Sequence, residues 1–98
     1  MEAQALWRAV RAKLLARRGE PIAAERLARE ADSLARTGDD LELQGDTLAA
    51  LGEVLRCAGR PDDAAAALRA ALERYERRGI VILADRVRVR LGELEART

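Results

Sequence analysis

Residues 48–71 read LAALGEVLRCAGRPDDAAAALRAA, and this stretch decides the fold. Leu48, Leu51 and Leu55 recur at three- and four-residue steps, the period of one face of an α-helix. Gly59 stands where a left-handed residue closes a helix, and Pro61 two places later stands where a first-turn proline opens the next one. Ala64, Leu68 and Ala71 then repeat the helical period. The segment therefore reads as helix, tight turn, helix, with the small residues Gly52 and Ala64 placed to let the two backbones approach.

The same punctuation recurs outward. Gly19, Gly38, Gly59 and Gly79 divide the chain into pieces spanning about 2–18, 21–37, 40–58, 61–78 and 80–96. Pro21 follows Gly19 as Pro61 follows Gly59, and Asp39 and Asp40 are available to cap the third piece. Each piece carries an apolar stripe: Leu6, Val10 and Leu14; Ala24, Leu27, Ala31 and Leu34; Leu48, Leu51, Leu55 and Ala58; Ala64, Leu68, Ala71, Leu72 and Tyr75; Ile80, Leu83, Val87, Leu91 and Leu94. Acid precedes base by four residues at Glu25–Arg29, Glu73–Arg77 and Glu93–Arg97, an order that adds a few tenths of a kcal/mol (about 0.2–0.5) per pair. Connections this short force neighbouring helices to pack antiparallel.

A shift of 59 − 19 = 40 positions lays Gly19 on Gly59, Pro21 on Pro61, Ala24 on Ala64, Arg29 on Arg69 and Ala31 on Ala71. It also lays Leu51-Gly52-Glu53 on Leu91-Gly92-Glu93. Such a repeat predicts stacked helix pairs and not a closed bundle. The expected architecture is a single all-α domain over 1–98. In it, two helical hairpins (about 2–37 and 40–78) and a capping helix (about 80–96) form a right-handed superhelical stack.

Leu48, Leu51-Gly52, Leu55, Gly59, Ala64, Leu68 and Ala71 resemble the tetratricopeptide (TPR) pattern. The usual aromatic positions are aliphatic here, Glu76 stands where a closing proline often falls, and the first copy has Arg11 and Ala12 for Leu51 and Gly52. The stretches 12–19 and 53–61 are similar to C-terminal repeats of actinobacterial class III nucleotidyl cyclases and of LuxR-type or ATPase-linked regulators. That resemblance implies a scaffold or regulatory arm that binds protein. It implies a concave groove lined by Lys13, Arg17, Glu53, Arg56, Cys57, Arg86, Val89 and Glu93, suited to an acidic helix or tail. Chaperone-tail recognition of the family type needs Asn, which the chain lacks.

Composition excludes other classes. A chain of 98 residues, 49% hydrophobic and 36% charged, is neither disordered nor membrane-spanning, and buries roughly 60–65% of its unfolded surface. Its 18 basic and 17 acidic residues leave a net charge of +1, against a dedicated nucleic-acid binder. The arginines at 74, 77, 78, 86, 88, 90 and 97 keep a nucleic-acid contact module as an alternative, weakened by the lack of stacking aromatics. Without His, a phosphate loop or a Cys/His cluster, no catalytic residue, cofactor or metal is expected. Lone Cys57 points to a reducing, cytoplasmic setting, and is read as an ordinary small helix residue. Trp7 is expected half-buried against the second helix, with an anchor at an interface as the alternative. Val81, Ile82 and Val89 fall off the stripe of the last helix. They predict a cover: a following hairpin of a longer chain, or a second copy in a homodimer. A purely structural, self-associating fragment is the runner-up to partner binding.

Overall fold

The computed structural model describes residues 2–96, so Arg97 and its expected pairing with Glu93 lie outside the described residues. These residues form α-helices and no strand: α1 (Glu2–Arg17), α2 (Pro21–Arg36), α3 (Leu41–Cys57), α4 (Pro61–Arg78) and α5 (Val81–Ala96). Pro21 and Pro61 open α2 and α4, where the missing N–H has no helical partner to lose. Asp40 caps α3 by accepting from the Leu43 N–H at 3.1 Å.

Gly19 and Gly59 close their helices with positive φ (79° and 76°). In both turns the next N–H reaches back to a carbonyl of the last turn, Glu20 to Leu15 and Arg60 to Leu55, each at 3.0 Å. That closure needs a left-handed residue, which glycine adopts without steric cost. Gly79 does the same for α4. Gly38 departs from expectation, because its φ is not positive. The Thr37 hydroxyl ends α2 instead, donating to the Leu34 carbonyl at 2.7 Å.

α1 packs on α2 and α3, α2 on α3, α3 on α4, and α4 on α5. Ala5 clusters with Ala35 and Leu43, and Ala9 with Ala31 and Ala50. Numbers falling along α2 as they rise along α1 make these two helices antiparallel. α3 and α4 are likewise antiparallel: a Cβ on Gly45 would meet Tyr75, and one on Gly52 would sit 2.7 Å from Leu68 Cγ and 3.4 Å from the Ala64 carbonyl oxygen. The main core runs through Leu48, Leu51, Val54 and Leu55 of α3, Leu68 and Tyr75 of α4, and Val87, Leu91 and Leu94 of α5. The Cα envelope measures 32 × 27 × 17 Å.

The α1 stripe is the main correction. Leu6, Val10 and Leu14 are 42%, 54% and 48% exposed, whereas Ala5, Ala9 and Ala12 are buried. The alanines win because α1 crosses α2 and α3 closely. Leucine-sized side chains at those positions would hold the helices apart.

Candidate partner-binding surface

α1, α3 and α5 border an open depression of about 380 Å³. Its floor is apolar, with Ala49 and Ala50 of α3 and Val87 of α5, and its rim carries Lys13, Glu53 and Arg86. Three of the expected groove residues therefore meet at one surface.

Glu53 is the electrostatic centre of the α3–α5 side. Its carboxylate accepts from Arg56 Nη2 at 3.0 Å and pairs with Arg90 Nε at 2.7 Å. Arg90 also reaches Glu93 Oε1 through Nη1, at 2.8 Å. The hydrogen bond to Glu53 pushes the Arg56 guanidinium further up from its ordinary value. Arg56 Nε is buried with no hydrogen-bond partner among the described residues. Arg56 is thus committed to its own helix, and sequence reading missed Arg90, the residue that ties α5 to Glu53. Cys57 is exposed at the end of α3, with Arg56 Nη2 4.0 Å from its sulfur. Arg17 lies exposed at the end of α1, and Val89 is 65% exposed on α5; neither lines the depression. Lys13 and Arg86 form no salt bridge among the described residues.

The floor holds a second unforeseen feature. The Tyr75 hydroxyl donates to Asp46 Oδ1 at 2.6 Å, across the α3–α4 crossing. Burial pushes the Asp46 carboxyl up, against the opposing pull of this hydrogen bond. Burial, and then the bond to Asp46, push the Tyr75 phenol up. Asp46 is therefore occupied by Tyr75 and also feels the Lys13 ammonium, while Lys13 and Arg86 form no salt bridge among the described residues.

The arginine stripe considered for nucleic acid is largely neutralised in place. Arg74 and Arg77 pair with Glu73, Arg88 with Glu76 and Asp85, and Arg90 with Glu53 and Glu93. Trp7 is half-buried at 47% exposure; its Nε1 donates to Gln4, and the Arg8 guanidinium lies 4.5 Å from its ring centroid, both within α1. Val81, Ile82 and Val89 are exposed at 67%, 70% and 65%. At 100° per residue, Ile82 and Val89 share a strip while Val81 lies about a quarter turn round the helix from it.

Among the described residues no group of His, Cys, Asp and Glu is placed to hold a metal, and no helix is long and apolar enough to cross a membrane. Comparison with family models, curated proteins and solved structures finds no match to this chain.

Proposed function

We propose that the chain is a non-catalytic, TPR-like protein-interaction module. In this reading α1–α2 and α3–α4 are successive hairpins of a right-handed superhelical stack, and α5 caps it. Its groove receives an acidic helix or tail of a partner protein. The sequential contacts of the helices support this reading. So does the envelope: helices of 16–18 residues are about 24–27 Å long, and the 17 Å dimension suits two helix layers.

One observation carries the choice of partner. Glu53 and Asp46 are already engaged by Arg56, Arg90 and Tyr75, while Lys13 and Arg86 have no salt bridge on the same rim. An incoming carboxylate would therefore meet two cations outside any salt bridge, Lys13 and Arg86, beside the apolar Ala49, Ala50 and Val87, the arrangement of helix-in-groove recognition. The resemblance to repeats of actinobacterial regulators supports a role as a regulatory arm in the cytoplasm.

The test is a capture comparison between wild type and a Lys13→Glu/Arg86→Glu variant. Partners that bind the first and are lost from the second support the groove. Identical partner sets contradict it. Self-association through α5 is the second reading, favoured by exposed Ile82 and Val89, and a strictly monomeric mass at high micromolar concentration contradicts it.

A further inference from the structure

α1 presents a continuous apolar strip to solvent, made by Ala3, Leu6, Trp7, Val10 and Leu14 along an open depression of about 630 Å³. The forty-residue register explains what kind of surface this is. Ala3, Trp7, Val10 and Leu14 correspond to Leu43, Thr47, Ala50 and Val54 of α3. Those four are 8%, 0%, 2% and 0% exposed. Leu43 clusters with Ala5 and Ala35, and Ala50 with Ala9 and Ala31, so this face of α3 is the one that α1 and α2 cover. On α1 the equivalent face is apolar and uncovered. Its neighbour across the helix also keeps register: Ala5 and Ala12 match Gly45 and Gly52, and both alanines are fully buried.

The charges beside the strip select the occupant. Lys13 and Arg17 lie on one edge by helical period, Arg11 and Arg18 on the other. None of the four makes a salt bridge among the described residues, and the only acid in α1 is Glu2. A second copy packing α1 against α1 would bring these cations together.

We propose that the outer face of α1 is a docking site for an amphipathic helix of another protein, with an apolar stripe and acidic flanks. The helix packs where α1 and α2 pack on the equivalent face of α3. This face adjoins the groove, with Leu6 and Val10 on the shared edge, while Ala3, Trp7 and Leu14 lie outside the groove.

Trp7 is the only tryptophan and sits in the strip, so its emission reports coverage directly. The probes are two synthetic amphipathic helical peptides without aromatic residues, sharing a leucine stripe and differing in glutamate or lysine flanks. The glutamate peptide is expected to blue-shift Trp7 saturably and to bind at least about tenfold tighter than the lysine peptide, a difference of about 1.4 kcal/mol. Leu14→Glu, at an exposed position that leaves the circular dichroism unchanged, is expected to weaken binding at least about tenfold. Ala3→Glu provides a second variant of the same sign. Arg78→Glu, exposed at the end of α4 and outside both surfaces, leaves this binding unaltered. Equal binding of both peptides, no shift with either, or full binding by both strip variants overturns the proposal. A Trp7 shift that appears with protein concentration alone, together with a dimeric mass, assigns the face to a second copy and overturns it as well.

Discussion

Gly45 lies directly under the ring of Tyr75: a Cβ on Gly45 would stand 2.5 Å from Tyr75 Cε1. The ring has no easy retreat, because its hydroxyl is tied to Asp46 on the same turn of α3 as Gly45. Gly45→Ala is therefore expected to destabilise by about 1–3 kcal/mol through overpacking, despite the gain of about 1 kcal/mol that alanine brings to a helix interior. Urea denaturation checks this, and a variant as stable as wild type would show that the crossing is looser than described.

Gly92 gives the contrasting case. It is the register partner of Gly52, whose added Cβ would strike Leu68, yet a Cβ on Gly92 meets nothing within 4 Å. Gly92→Ala is expected to stabilise the chain by about 0.5–1 kcal/mol, whereas Gly52→Ala destabilises it. Thermal melts of both variants show the difference as shifts of opposite sign.

The Asp46–Tyr75 pair predicts two limbs of pH dependence. Asp46 is raised, so its contribution is fully present below the ordinary carboxylate value and is lost as pH rises through the elevated one. Tyr75 is raised as well, so its contribution holds below about 10, the ordinary phenol value, and falls away above it. Asp46→Asn should flatten the acid limb and Tyr75→Phe the alkaline limb. At neutral pH Tyr75→Phe also costs about 1 kcal/mol, because Asp46 loses its donor. Stability measured from pH 3 to 11 separates the two.

Glu53 joins α3 to α5 through Arg90, but both side chains are partly solvated, at 26% and 38%. Such pairs contribute about 0.2–1 kcal/mol. Glu53→Gln is expected to lower global stability by no more than that, and to speed amide exchange in α5 more than in α3. Uniform acceleration across all helices would contradict a local role.

Helix ends were legible in the sequence because their signals are local. Pro61 and Gly79 act within one turn, and the observed α4 coincides with the expected 61–78. The Gly52–Ala64 approach was legible from small residues in register. The core face of α1 was not. Leu6, Val10 and Leu14 carry the hydrophobic bulk, while the buried side is made of alanines whose burial depends on how closely α2 and α3 come. Nor could periodicity reveal the Tyr75–Asp46 bond or Arg90 on Glu53, which join residues 29 and 37 positions apart across helix crossings. In the groove, Lys13, Glu53 and Arg86 do border one depression, as their register suggested. Which charges would be consumed by neighbours required three dimensions.

The most direct measurement is an amide-resolved NMR titration of the labelled protein with an acidic peptide. The account predicts perturbations on the groove side of α1, α3 and α5, centred near Lys13, Ala49 and Arg86, and their loss in Lys13→Glu/Arg86→Glu. Perturbations confined to the backs of α2 and α4, or unchanged in that variant, would contradict it.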